Sequence, residues 1–250
     1  PATLAYVEAL DGGDPANKVE FRDEIFLWNA PFDAAATSLV KTPQRYDRII
    51  WGNDNVAIIS DEWYDTRNTK TYVINPSNPS QGPKVIFDRN AQDAYSDPGN
   101  FETRKNQYNR YVLAIENDNA YLIGNGFTKN GQFPFISEFN LKTLQTNRLY
   151  TSTYKDKKED LLEIEDFKKG TVLVQIQSKN EYPNYYLRNF KQKNKLTPIT
   201  AFKNPFESIK NVNKEVIKYK RKDGVELSGT LYLPVGYDNV KKEKMPLLIW

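Results

Sequence analysis

The residue types that carry most enzyme chemistry are sparse in this chain of 250 residues, which contains no cysteine and no histidine. Without histidine, a Ser-His-Asp triad cannot be completed within the chain, and a histidine-ligated zinc site is excluded. Without cysteine, thiolate catalysis, cysteine metal sites and disulfides are excluded as well. We therefore predict no catalytic residue, no metal site and no cofactor site in this sequence.

Two motifs resemble chemical sites, a serine nucleophile and a calcium-binding loop, but neither has the residue spacing that its site requires. Ser228 in GVELSG lacks the Gly-x-Ser-x-Gly spacing of a nucleophile elbow and falls inside a strand pattern, so we interpret it as structural. Asn-Asp-Asn at 53–55 and at 117–119 offers oxygens that calcium could use, but the glycine and the distal glutamate of an EF-hand loop are absent. We interpret both triplets as hairpin turns and DGGD at 11–14 as an ordinary loop.

The composition limits the class of protein. Lys and Arg number 35 against 32 Asp and Glu, a net charge of +3, and the most basic stretch, KDKKEDLLEIEDFKKG, has acids mixed in, so we predict no nucleic-acid partner. No run of about 18 apolar residues occurs, so we predict no membrane span. With 16 Tyr and 13 Phe, the sequence favours strands over helices.

Three stretches repeat one pattern, starting at Asp47, Asn109 and Glu159. Each contains four short strand-like runs, and a tight turn joins the first two. Four antiparallel strands that recur every 45–60 residues or so are typical of β-propeller blades. We therefore predict an all-β fold, a partial β-propeller of about four four-stranded antiparallel blades. The first 45 residues or so are expected to form a blade without its innermost strand.

The pattern changes after the third repeat. Residues 204–213 read as a polar linker, and Asp223-Gly224 reads as a hairpin turn followed by a return strand up to Pro234. The apolar run Leu247–Trp250 is typical of a strand covered on both faces. We predict blades over 1–203, with further blades before residue 1. For 214–250 we predict the opening strands of an α/β-hydrolase domain, as a separate small sheet.

Four stretches resemble a known family: YVEALDGGDP from Tyr6, WGNDNVAIISDEWYDTR from Trp51, FDRNAQDAYSDPGN from Phe87 and YKRKDGVELSGTLYLPVGYD from Tyr219. They are similar to the prolyl oligopeptidase family of serine peptidases, in which a β-propeller is coupled to an α/β-hydrolase domain. The stretches from Trp51 and Phe87 point to its glutamyl endopeptidase branch, the stretch from Tyr6 also fits, and the stretch from Tyr219 is typical of the whole family. The resemblance covers nearly the whole chain.

The resemblance implies a parent protein that cleaves peptides after acidic residues with a Ser-His-Asp triad, no member of which lies in this chain. The implied partners are a peptide substrate and a hydrolase domain in cis, and the implied role of the propeller is to restrict access to the active site. A carboxylate in the substrate would need a cation, for which Arg67 and Arg89 are candidates. Trp63 and Tyr64 could line the cavity. As alternatives, each arginine forms a surface ion pair and the aromatic residues pack between blades.

Two other functions are compatible with a propeller. An independent binding scaffold would have no use for the hairpin and apolar run of residues 214–250. A propeller glycosidase needs acidic residues that converge on the central channel. The predicted innermost strands DRIIW and LLEIEDF do carry acids, but acids at strand ends are common. The sequence leaves the compartment open among bacterial periplasm, cytoplasm and plastid.

Overall fold

The computed structural model describes residues 2–192, 195–238, 240–241 and 243–249. In these ranges the chain consists of antiparallel strands, turns and two 3₁₀ helices of one turn each, at Pro79–Gln81 and Glu207–Ile209. The predicted all-β fold is confirmed. None of the described helices is long and apolar enough to cross a membrane.

The first two repeating sheets are meanders, which we term blade 1 and blade 2. Blade 1 contains β1 (Thr3–Ala9), β2 (Asp23–Asn29) and β3 (Thr37–Thr42). Blade 2 contains β4 (Arg45–Asn53), β5 (Val56–Trp63), β6 (Asn68–Ile74) and β7 (Lys84–Asn90). The three-stranded first sheet and the four-stranded second sheet match the prediction.

Blade 3 is more elaborate than the repeat pattern predicts. Its strands are β8 (Asn100–Phe101), β9 (Thr103–Lys105), β10 (Tyr111–Leu113), β11 (Ile115–Glu116), β12 (Asn119–Gly124), β13 (Phe127–Thr128), β14 (Gly131–Gln132), β15 (Phe135–Asn140) and β16 (Thr146–Thr151). The main sheet has the order β11-β12-β15-β16, and the pairs β9–β10 and β13–β14 are separate hairpins.

The innermost position of blade 3 is shared by two short strands. β11 pairs with the first half of β12 and β8 pairs with its second half, while β10 pairs with β9 instead. Gly99, at φ +90°, allows β8 to lie against β12. The Cβ of any other residue at this position would lie 2.5 Å from the carbonyl oxygen of Ile123. Only glycine allows the chain to approach β12 so closely.

Blade 4 contains β17 (Lys157–Asp166), β18 (Thr171–Ser178), β19 (Asn184–Asn189) and β20 (Lys195–Pro198), in sequence order as predicted. The hairpin of β21 (Asn213–Lys220) and β22 (Glu226–Leu233) forms its own two-stranded sheet, also as predicted. Its assignment to a hydrolase domain stays a prediction.

The predicted strand at the apolar run is not observed. Leu247, Leu248 and Ile249 form no strand, and each is at least 75% exposed, while Trp250 lies outside the described residues. The physical reason is that a strand needs a hydrogen-bonded neighbour, and none of the described strands pairs with this segment.

The hydrophobic core lies between the blades. One cluster joins blades 1 and 2, a second joins blades 2 and 3, and a third joins blades 3 and 4. Because successive side chains of a strand point to opposite faces, Ala57 and Ile59 of β5 pack towards blade 1 while Ile58 packs towards blade 3. A blade therefore buries both of its faces only when neighbours stack on each side of it.

The connections between blades define a common orientation. The link from Thr42 to Arg45 reaches about 10 Å at full extension, whereas β4 is roughly 30 Å long, so the end of blade 1 and the start of blade 2 lie at the same edge. The link from Thr151 to Lys157 gives the same result for blades 3 and 4. In blade 3, Leu113 and Ile115 lie beside Gly52 near the end of β4, so the innermost strands run side by side in the same direction.

We term the edge where the innermost strands begin the lower face. It carries the β5–β6 loop and the end of β20, from which the chain continues to β21. A groove of about 690 Å³ separates β21 and β22 from the lower edge of blade 4 and is lined by residues of both, including Lys158, Lys179, Val216 and Tyr232. The C-terminal hairpin therefore lies on the lower-face side of blade 4.

Candidate functional site at the lower face

The four residues predicted to contact substrate come together at the lower face. Trp63 ends β5, Tyr64 and Arg67 lie in the loop to β6, and Arg89 lies on β7 one residue before its end. In the sheet, Trp63 is opposite Asn68, which in turn is opposite Asn90, so all four lie at one edge of blade 2. This is the face on whose side the C-terminal hairpin lies.

The two arginines have different surroundings. The guanidinium of Arg67 stacks over the ring of Tyr64, 3.7 Å from its centroid, and Arg67 forms no ion pair with any described residue. Arg89 is engaged, since its Nη2 lies 3.4 Å from Asp97 Oδ1 and its Nη1 donates to the carbonyl oxygens of Asn90 and Asp93. The surface-pair alternative therefore describes Arg89 but not Arg67.

The two aromatic residues also differ. Trp63 is half-buried, and the guanidinium of Arg22, from the β1–β2 loop of blade 1, lies over its ring at 3.7 Å. Trp63 thus packs at the seam between blades 1 and 2, which is the alternative to a cavity-lining role. Tyr64 is 71% exposed and holds only Arg67 against its face. Whether any of the four contacts substrate stays a prediction.

The interpretation of DGGD as an ordinary loop misses a buried ion-pair cluster. The fully buried carboxylate of Asp11 accepts hydrogen bonds from Arg22 Nη1 at 2.8 Å, from Arg45 Nη2 at 2.6 Å and from the backbone N–H of Gly13. Arg45 Nη1 also donates to Asp23 Oδ1 at 2.7 Å. Burial by itself would raise the pKa of Asp11, but the hydrogen bonds from Arg45, Gly13 and Arg22 outweigh it, and the pKa is lowered.

A second buried cluster joins blades 3 and 4. Glu159 of β17 accepts from Arg188 Nε at 2.7 Å and from the hydroxyl of Tyr150, the last residue but one of β16, at 2.6 Å. Arg188 Nη2 lies 3.2 Å from the hydroxyl oxygen of Tyr154 in the connection. Burial, together with the carboxylate of Glu159, raises the pKa of Tyr150. Both clusters thus tie a blade to the start of the next one at the lower face.

Glu102 is a half-buried carboxyl group between β8 and β9 at the seam of blades 3 and 4. Its Oε2 accepts a hydrogen bond from the backbone N–H of Ile164 in β17 at 3.1 Å. The pKa of Glu102 is raised to about 7, chiefly by burial; the hydrogen bond from Ile164 opposes the rise and the nearby carboxylate of Glu163 adds to it. Glu102 thus joins the root of the β9–β10 hairpin to blade 4.

The lower face combines cationic and aromatic side chains. The chain has neither histidine nor cysteine, and the residues that the structure describes contain no cluster of carboxylates arranged to hold a metal ion. Arg67 forms no ion pair with a described residue, and the ring of Tyr64 beneath it is exposed. Such a surface can bind and orient a ligand.

Sequence comparison identifies the relatives of this chain. It is 35% identical over 268 residues to the rice protein named "Probable glutamyl endopeptidase, chloroplastic" and 35% identical over 269 residues to the Arabidopsis thaliana protein of the same name. Each alignment covers 100% of this chain. Over its whole length, this chain is therefore similar in sequence to one part of these two proteins. The resemblance read from the motifs is confirmed.

The chain spans only 28% of the length of these two relatives. Among solved structures, oligopeptidase B from Trypanosoma brucei, a member of the prolyl oligopeptidase family, matches with a TM-score of 0.50 at 11% identity, over 95% of this chain and 33% of that one. At this identity the match shows a shared fold, that of a peptidase propeller. No protein-family model matches the chain.

Proposed function

We propose that this chain is the non-catalytic propeller region of a serine endopeptidase that cleaves after Glu or Asp, and that it controls the access of peptides to a hydrolase domain joined to β22. The observation that carries the proposal is the 35% identity to glutamyl endopeptidases along the whole chain. The compartment stays open, because nothing in the residues of the chain decides it.

The geometry supports a role in controlling access. The chain leaves blade 4 at the lower face and forms a separate hairpin with exposed apolar residues, among them Val216 at 69% and Tyr219 at 51%. Exposed apolar surface of this kind is typical of a site covered by another domain. A hydrolase domain on this side would have its access restricted by the lower face, where buried ion pairs hold neighbouring blades together.

Within this proposal, Arg67 is the better placed of the two arginines to hold a substrate carboxylate. Its guanidinium lies over the ring of Tyr64 and has no carboxylate partner among the described residues. Stacking pre-orients the planar fork that a bidentate hydrogen-bonded pair requires. Arg89 would first have to release Asp97.

The test uses the full-length protein that contains this chain, with fluorogenic peptides that carry Glu, Asp or Gln before the cleaved bond. Arg67→Gln is expected to lower kcat/KM for Glu peptides by an amount equivalent to about 2–4 kcal/mol of transition-state stabilisation. The kcat/KM for Gln peptides should change little. Arg89→Gln tests the second candidate in the same way. Arg48→Gln, which removes an exposed arginine from β4, is the matched control. Equal losses for Glu and Gln peptides would remove Arg67 from substrate recognition.

We expect the chain without the remainder of the protein to be inactive. The 250-residue chain should hydrolyse no peptide bond, because loss of the general base alone lowers the rate by about 10⁴–10⁶-fold. The full-length protein should be labelled covalently by a serine-directed phosphonate, seen as a mass increase. Turnover by the chain alone, or an unlabelled full-length protein, would refute the proposal, and the second result would favour a binding scaffold.

A further inference from the structure

The β9–β10 hairpin lies beside β4, with its turn directed towards the lower face. Strand β10 continues into β11, which ends at the tight turn Asn117–Asp118 on the opposite, upper edge of blade 3. The other end of β10 and the turn that precedes it, residues 106–110, must therefore lie on the lower side. Because β10 packs beside β4, the innermost strand of blade 2, the turn lies close to the centre of the blades.

The turn of this hairpin is built to hold one shape. The side-chain oxygen of Asn106 accepts hydrogen bonds from the backbone N–H groups of Tyr108 at 2.9 Å and Arg110 at 3.1 Å. The backbone N–H of Asn106 donates to the carbonyl oxygen of Arg110, and Asn109 adopts the left-handed conformation at φ 59°. Side chains carried by such a turn are presented to a ligand with little loss of backbone entropy on binding.

The hairpin is cationic and aromatic. It contains Arg104, Lys105 and Arg110, and no acidic residue lies between Glu102 and Glu116. Arg104 is occupied, since it donates to the carbonyl oxygen of Ile115 and lies 3.5 Å from Glu116.

The other cationic and aromatic side chains of the hairpin are exposed and could contact a ligand. Lys105 Nζ lies 5.4 Å from the ring of Tyr111, and Arg110 forms no side-chain hydrogen bond or ion pair within the described part of the chain. Tyr108 is 74% exposed and Tyr111 is 65% exposed. Two cations and two tyrosine rings are thus exposed on one short hairpin, in a pattern that the packing of the blades does not require.

We propose that Lys105, Tyr108, Arg110 and Tyr111 form a binding site for an acidic segment of the peptide substrate, remote from the residue at which the peptide is cut. This inference rests on the proposed function, since it takes the ligand to be a peptide that passes the lower face. Carboxylates pair with the two cations, and the tyrosine rings supply apolar area with hydroxyl groups for hydrogen bonds.

Charges on the neighbouring blade restrict where the acidic segment can lie. The groove between the hairpin and the end of β17 is lined by Arg104, Lys105 and Tyr111 of the hairpin, and its other charged residues are Glu116, Glu163, Glu165, Asp166 and Lys168. Its four carboxylates outnumber its three cations, so an acidic peptide is held at the turn rather than in this groove. Two available cations are few for a nucleic acid, whose binding depends on many phosphate contacts, so a peptide is the favoured ligand.

The experiment measures binding by fluorescence anisotropy on the full-length protein after treatment with the small serine-directed phosphonate, so that bound peptide is not cleaved. The probe is a fluorescein-labelled dodecapeptide of alternating Glu and Gly, compared with its Gln counterpart and with a labelled dT12 oligonucleotide. The variant is Lys105→Gln/Arg110→Gln. Its matched control is Lys129→Gln/Lys155→Gln, which removes two exposed lysines on the same face.

The hairpin variant is expected to weaken binding of the Glu peptide by about fivefold or more, from two exposed charge contacts, and the control by less than about twofold. Glu163→Gln/Glu165→Gln should tighten binding of the Glu peptide, because a repulsion is removed. Equal losses in hairpin and control variants, equal binding of the Glu and Gln peptides, or tighter binding of dT12 would each overturn the proposal. Mass analysis of phosphonate labelling reports separately on the proposed peptidase function, since binding can be measured even on unlabelled protein.

Discussion

Replacing Glu102 by glutamine should change how the stability of this protein depends on pH. Glu102 is half-buried at the seam of blades 3 and 4, with a pKa raised from 4.5 to about 7. In the unfolded chain its carboxyl group would ionise near the ordinary value. Between these two pH values the folded state therefore retains a proton that the unfolded state has released, so the free energy of unfolding falls as pH rises.

The magnitude follows from the two pKa values. Each tenfold difference in proton affinity is worth about 1.4 kcal/mol, so ionising Glu102 in the folded state costs roughly 3 kcal/mol more than in the unfolded state. Its partial contact with solvent reduces this to about 2–3 kcal/mol. Glutamine keeps an oxygen that can accept from the backbone N–H of Ile164 and never ionises. Glu102→Gln should therefore match wild type near pH 4.5 and be more stable by about 2–3 kcal/mol at pH 8.

The assay is urea unfolding of wild type and Glu102→Gln at half-unit intervals from pH 4.5 to 8, followed by tryptophan fluorescence. The difference between the two proteins at each pH cancels the titration of groups that they share. Glu165→Gln, which removes an exposed carboxylate from β17, is the matched control. A difference that stays constant with pH, or a Glu102→Gln protein that is less stable than wild type at pH 8, would refute the reasoning.

Three further predictions concern the seams and the C-terminal hairpin. Glu159→Gln leaves the buried guanidinium of Arg188 without its carboxylate and should cost about 3–5 kcal/mol of stability in guanidinium unfolding; a loss below about 1 kcal/mol would mean that the pair adds little. Phe139→Ala removes a 1% exposed ring that contacts Phe87 and Phe101 across blades 2 and 3, and should cost about 3–5 kcal/mol, whereas Phe127→Ala, at a 42% exposed ring, should change the unfolding midpoint little. Amides of β21 and β22 should exchange with deuterium faster than those of β18, because the two-stranded hairpin lacks further strands; equal protection by mass spectrometry would contradict this.

The antiparallel β fold, and the lack of histidine and cysteine side chains for catalysis or metal binding, can be read directly from the sequence. Strand-like runs joined by turns of Asn, Asp and Gly specify antiparallel meanders, and Asn117 and Asp118 do adopt the left-handed conformation, at φ 50° and 62°, that a two-residue hairpin turn requires. The absence of histidine and cysteine is likewise readable without a structure. These features are local, since a turn residue or a missing residue type needs no distant partner to have its effect.

Tertiary structure alone decided which side chains meet. Asp11 and Arg45 are 34 residues apart, and their ion pair exists because one blade stacks on the next, so no spacing in the sequence reveals it. The divergence of β10 from blade 3 depends on the close approach of the chain at Gly99 to β12, a packing event between segments that look like ordinary strand and loop. Leu247–Ile249, apolar enough for a buried strand, stays exposed because the described strands provide no neighbour to pair with it. Local pattern fixes backbone preference, whereas burial, ion pairing and strand pairing depend on surfaces brought together from distant parts of the chain.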